Sequence, residues 1–342
     1  MVKSINMERL HIYTKEHLLS LTSIREGETK LGEKLQLVSG LENLTSLSCK
    51  FVLLGLPEDI GVRANFGLGG AHTAWEPALK TLVNIQSTKR FTGEEMAVLG
   101  HLDFEGELKA AEDLNPHHVN DLEQMRDLVS KIDDRVTGLL QMIFNAGKIP
   151  IIIGGGHNNS YPILRALSRQ FNRPVNTINL DAHSDFRIME GRHSGNGFRY
   201  ALRENFLNKY AVLGLQENYN SQSLVDEMTA LKSQIRYYFL EDFIRENDSH
   251  DRAFQDAMNF TEGICGLEVD LDCIGGALSS AISPTGFTVT QVREMITQTK
   301  LRQFFYLHIA EGAVHLTDGR EDQLTGKLIA TLISDFVKAQ LR

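Results

Sequence analysis

The chain has 342 residues, 42% of them hydrophobic and 23% charged, which is ordinary globular composition and enough chain for a large core. Its net charge of -9 repels a phosphate backbone, so nucleic acid is excluded as an expected partner. No run of about 18 apolar residues occurs, and residues 1–10 lack the apolar segment of a secretion signal, so the expectation is a cytoplasmic protein without a membrane partner.

Residues 1–45 are polar with scattered leucines and read as an appended N-terminal arm. Cys49, Cys265 and Cys273 are odd in number and widely spaced, which does not suggest a disulfide framework. From residue 46 onward short apolar runs alternate with longer amphipathic stretches. Strands are expected at 51–56, 96–102, 149–153, 175–181, 210–215, 235–240, 264–271 and 304–309. Most are continuous in apolar character, which suits strands buried on both faces. Helices are expected at 74–85, 119–146, 160–171, 223–233, 251–259, 290–299 and 320–341. The longest carries Leu122, Met125, Leu128, Ile132, Val136, Leu139, Leu140 and Ile143, a stripe at helical spacing. Eight strands alternating with helices predict a three-layer α/β fold, a mostly parallel sheet flanked by helices. No Pro/Gly/Ser-rich linker interrupts residues 46–342, so they are read as a single catalytic domain.

Three motifs fall at predicted strand ends, where open parallel sheets bind ligands. The first is Gly154, Gly155, Gly156 and His157. Glycines let the backbone turn sharply, but the run lacks the spacing of a dinucleotide loop, and a lone histidine there is more often structural. The second presents Asp181, His183 and Asp185 at alternate positions, hence on one side of an extended chain. The third presents Glu268, Asp270 and Asp272 in the same way. Burying Asp270 beside Asp272 without a cation is costly, and a shared dication resolves that cost. His157, Asp181, His183, Asp185, Asp270 and Asp272 are too many ligands for one ion with an open position. They suit two ions bridged by carboxylates, with Mn²⁺ favoured by the oxygen-rich set. Cys273 beside the third motif reads as a small buried thiol rather than a nucleophile.

Taken together, the GGGH, DAHSD and DLD motifs resemble the ureohydrolase (arginase/agmatinase/formimidoylglutamase) family, from about Gly55 to Gly312. The resemblance implies an eight-stranded parallel sheet, two Mn²⁺ per chain and a homo-oligomer. It implies that His157 and Asp185 hold one ion, that His183 and Asp272 hold the other, and that Asp181 and Asp270 bridge them. Asp185 would orient the attacking water, and Glu311, in a run resembling the family's last strand, would bind the amidine or guanidine nitrogens. Arginases and agmatinases place a histidine immediately before the glycine that corresponds to Gly195. Here Ser194 stands there and His193 lies one place earlier, a departure typical of formimidoylglutamase-like members. Where the family usually has a serine before the first acid of the third motif, this chain has Glu268, and Gly275-Gly276 replace a further Asp-Pro.

The expected reaction is therefore hydrolysis of N-formimidoyl-L-glutamate to glutamate and formamide, with His193 or water returning a proton to the leaving amine. Arg187, Arg192, Asn196 and Arg199 are the candidates for pairing a substrate's carboxylates, because a guanidinium pairs them bidentately. Other guanidine hydrolases of the same family are the nearest alternative. Deacetylases of related fold use one Zn²⁺ and fewer acids, and a non-catalytic metal-binding protein is the reading from a different class.

Overall fold

Residues 9–245 and 249–341 are described by the computed structural model. Ten strands form one sheet: β1 (Leu10–Ile12), β2 (Gln36–Leu37), β3 (Phe51–Gly55), β4 (Met96–Leu102), β5 (Ile149–Ile153), β6 (Val175–Leu180), β7 (Leu207–Leu215), β8 (Ile235–Phe239), β9 (Cys265–Asp270) and β10 (Leu307–Ala310). All eight expected strands are present. The excess over eight comes from residues 10–37, whose β1 and β2 both pair with β4. Only β1 runs antiparallel; the other pairings are parallel.

Continuous apolar runs are used as expected, with cover on both faces. Along β5, Ile151 and Ile153 pack into the core on one side of the sheet and Ile152 into the core on the other. Helices Trp75–Val83, His250–Phe260, Val289–Gln298 and Thr325–Gln340 contribute to the first core. Val119–Asn145 and Ser160–Phe171 contribute to the second. Helix Val289–Gln298 starts where Thr288 accepts from Gln291 N–H while Gln291 accepts from Thr288 N–H, a reciprocal cap. In Val119–Asn145, Met125, Ile132, Val136, Leu139, Leu140 and Ile143 are buried, while Leu122 and Leu128 are half-buried. The acid Asp133 lies on the buried side too.

The strand order is β1-β4-β3-β5-β10-β9-β6-β7-β8. The four strands that carry the chemical motifs, β5, β10, β9 and β6, are therefore consecutive neighbours at the middle of the sheet. Being parallel, they deliver their C-terminal ends to one edge, and the crossovers leave a crevice there.

Candidate metal centre

β5 breaks at Gly154 and Gly155, both at positive φ (83° and 74°). A Cβ on Gly155 would stand 2.4 Å from Asn159 Nδ2 and 2.9 Å from the Leu56 carbonyl, so only glycine fits the turn. The loop that follows is anchored by Glu58, whose Oε1 accepts from Gly156 N–H (3.2 Å), Asn158 Nδ2 (3.1 Å) and Asn159 Nδ2 (2.7 Å). Its Oε2 accepts from Ile60 N–H at 2.9 Å. Burial, opposed in part by these donors, pushes the Glu58 carboxyl up to about 7. The loop delivers His157, fully buried, to the sheet edge.

His157 Nδ1 stands 3.2 Å from Asp181 Oδ2, 2.9 Å from Asp185 Oδ2 and 3.2 Å from Asp270 Oδ2. A second group lies beside it: His183 Nδ1 is 2.8 Å from Asp272 Oδ2 and 3.7 Å from Asp181 Oδ1. Asp181 belongs to both groups, whereas Asp270 gathers only with the first. All six predicted ligands thus converge, and Asp181 occupies the shared position.

Electrostatics show how poorly the cluster balances by itself. Burial, then Asp185 and Asp272, raise Asp181 to about 7. Asp270 is raised well above the usual carboxylate range by burial, Asp272 and Asp181. Burial opposes protonation of both histidines, yet the carboxylates hold His157 and His183 well above their ordinary value. Although three oxygens crowd His157 Nδ1, none meets it along a hydrogen-bonding direction, and the atom is buried without a bond. An imidazole nitrogen and several carboxylate oxygens around one point, with no proton line between them, form a cation's coordination shell. The residues present fit a binuclear centre. Asp185 (φ 44°) and Glu311 (φ 62°) both hold left-handed backbone, which costs non-glycine residues and concentrates at functional sites.

The profile of the arginase family matches residues 50–337 of this chain. The chain belongs to the arginase family. It is similar to a formimidoylglutamase of Macrococcus caseolyticus, 29% identical over 233 residues that cover 66% of this chain and 72% of that one. It is also similar to mitochondrial arginase 1 of Arabidopsis thaliana, 26% identical over 293 residues covering 81% and 76%. Its fold is that of the Trypanosoma cruzi formiminoglutamase crystallised with two Mn²⁺, with a TM-score of 0.69 and 18% identity over 91% of this chain and 98% of that one. As an arginase-family protein it is a hydrolase acting on C–N bonds of linear amidines.

In this arginase-family chain a cavity of about 300 Å³ opens onto the cluster. It is lined by His183, Asp185, Asp270, Asp272 and Glu311 together with Asn65, Arg187, Ser194, Tyr219, Asn220 and Ser280. Glu311 accepts from His157 N–H at 2.9 Å, and burial, with Asp185 nearby, raises its carboxyl to about 8. Tyr219 stacks on the His183 ring at 5.3 Å. Among the described residues lining the cavity, Arg187 supplies the one arginine or lysine; it is half exposed, 3.5 Å from Glu190.

The remaining site candidates lie outside the cavity lining. Arg192 is buried: its Nε donates to Asp133 Oδ2 (2.8 Å), Nη1 to Asn196 Oδ1 (2.6 Å) and Nη2 to the Asn158 carbonyl (2.8 Å). Asn196 in turn donates to the Ile188 and Gly191 carbonyls, so its amide is consumed inside the loop. Arg199 pairs bidentately with Glu227 (2.5 and 2.6 Å) and donates to the Phe186 carbonyl. His193 is buried outside the cavity lining, its Nδ1 accepting from Gly195 N–H at 3.2 Å. Burial, then Arg126, Arg187 and Arg192, depress it to about 3, so the ring is neutral near pH 7 and is not an imidazolium acid. These four side chains shape the loop that presents Arg187 and Ser194. The cysteines are free and buried, and burial, with Asp272 and Asp270, keeps Cys273 a thiol.

Sequence reasoning gave Glu58 no role. Its signal was an acid after Leu56 and Pro57 at the end of an apolar strand, a place where a buried carboxylate needs donors.

Proposed function

We propose that the chain is a binuclear Mn²⁺ hydrolase of N-formimidoyl-L-glutamate, releasing glutamate and formamide. The observation that carries the reading is the cavity itself: its lining joins four acids and the His183 imidazole to one half-exposed arginine. A substrate with a cationic amidine at one end and carboxylates at the other matches that polarity. The formimidoylglutamase relative supports the substrate class.

His157, Asp181, Asp185 and Asp270 would hold one ion, and His183 and Asp272, with Asp181 shared, the other. When bound, the pair supplies an activated water and Lewis-acid polarisation of the reacting carbon. Every other step falls to this chain's side chains. Glu311 faces the amidinium and pairs its N–H groups; the arriving cation stabilises the carboxylate's ionised form. Asp185 takes a proton from the attacking water and returns it to the leaving nitrogen, because His193 is sealed off. Arg187 pairs the glutamyl carboxylates, and Asn65 and Ser194 complete the polar wall.

The test is turnover of the Mn²⁺-loaded protein on N-formimidoyl-glutamate, arginine and agmatine side by side. Formamide release from the first, with little urea from the others, supports the assignment. Preferential urea release moves it to a guanidine substrate.

A further inference from the structure

Glu268 has no part in the reaction above, yet its carboxylate is fully buried beside the cluster. It stands two residues before Asp270 on β9, so the two side chains share a face of the strand. Its Oε1 accepts from the Tyr306 hydroxyl at 2.7 Å, and that hydroxyl is 3.0 Å from Thr177 Oγ1. Its Oε2 is 2.6 Å from His308 Nδ1, while His308 Nε2 lies 3.3 Å from the Gly154 carbonyl. Groups from β6, the β10 region and the β5 turn therefore fix this carboxylate in place.

The same Oε2 lies 3.5 Å from His157 Nε2. Among the described residues no hydrogen bond reaches that nitrogen, and Glu268 is the carboxylate facing it. The other ring nitrogen, Nδ1, faces Asp181, Asp185 and Asp270. An imidazole that offers the Nδ1 lone pair to a cation must carry its proton on Nε2, and the partner of that proton sets the ring's orientation. Resting on the two-ion reading, we infer that Glu268 is the positioning residue of His157: its immobilised carboxylate faces Nε2–H and turns Nδ1 toward the metal. A 3.5 Å gap is longer than a formed hydrogen bond, and a ring shift of about half an ångström closes it. Tyr306, His308 and Thr177 act only by holding Glu268.

This role is site-selective. His183, the imidazole of the second group, has Asp272 and Asp181 as its carboxylate neighbours, and Glu268 is not among them. Glu268→Gln keeps the shape and removes the charge that faces Nε2–H. Mn²⁺ alone is titrated into metal-free full-length wild type and variant, following stoichiometry by metal analysis and the spin-coupled pair by EPR. Thermal unfolding of the metal-free forms reports the fold.

The expected result is a folded variant that keeps one tight ion and binds the other about 10–100-fold more weakly, replacing the coupled signal by that of an isolated ion. Both ions bound with wild-type affinity overturn the inference, and so does parallel loss of both, which marks a merely structural role. If Glu268→Gln does not fold, Glu268→Asp, which keeps the charge but withdraws it from Nε2, is read by the same outcomes. Failure of both variants to fold assigns Glu268 to the fold and overturns the inference as well. A wild type that binds no ion pair sinks the two-ion reading itself, an outcome visible before any variant is compared.

Discussion

Arg192→Ala distinguishes a loop-anchoring arginine from a substrate-binding one. The guanidinium is buried against Asp133, Asn196 and the Asn158 carbonyl, and lies over the Tyr161 and Tyr200 rings at 4.6 and 5.0 Å. Truncation leaves Asp133, itself buried on helix Val119–Asn145, without its cation. Breaking a buried pair by removing one partner costs about 3–5 kcal/mol. Burial already raises the Asp133 carboxyl, so proton uptake relieves part of that cost and the lower half of the range is expected. An unfolding entropy of about 2.1 cal/mol/K per residue over 342 residues gives roughly 0.7 kcal/mol/K, so the midpoint falls by about 4–6 °C. The assay is thermal unfolding of the metal-free protein, paired with KM for formimidoyl-glutamate on the loaded protein. KM changes by no more than about threefold, because no uniform binding contact is removed. An unchanged midpoint with KM raised tenfold would refute the reasoning and return Arg192 to the substrate.

Three further predictions concern the centre. Arg187→Ala raises KM for formimidoyl-glutamate about 10–100-fold with kcat nearly unchanged, the loss expected of one charge-assisted contact; equal KM in steady-state kinetics counts against it. Asp181→Ala removes both ions and brings turnover to background, because Asp181 reaches both groups, while Asp272→Ala spares one ion; metal analysis per chain separates the two results. The metal-free protein loses stability as pH rises from about 6.5 to 8. Asp181 and Glu58, raised to about 7, and Glu311, raised to about 8, hold protons in the folded chain that the unfolded chain has already released, so the slope is negative. His193 and His101, depressed to about 3 and 4, lose their unfolded-state protons near the ordinary value of about 6.5, so they offset the slope at the bottom of that window and leave its upper part unaffected. Urea melts across the range check the sign, and a rising stability would contradict it.

The strands and the metal-binding motifs could be read from sequence for a shared physical reason. A run such as 149–153 carries its own evidence of two-sided burial, and acids or imidazoles at the end of such a run need partners. The convergence of residues 157, 181–185 and 270–272 follows from parallel strands sharing one C-terminal edge. The pocket wall was less legible. Arg192, Asn196 and Arg199 sit close in sequence to the DAHSD motif, but their directions are set by Asp133 and Glu227, which are remote in the chain and carry no local mark. His193 shows the same limit, since its burial depends on the arginines packed around it. β1 and β2 have three and two residues, too few for any periodicity to register.

Those two short strands divide one flank between them. β2 lies along Ala97 and Val98, and β1 covers positions 100 to 102, so the outer rim of seven-residue β4 is sealed in two pieces. Stripped of residues 1–45, β4 would offer bare amides and carbonyls on a nearly all-apolar strand, an adhesive seam for the same strand of another molecule. β1 and β2 thus cover the backbone of β4 on the side away from β3.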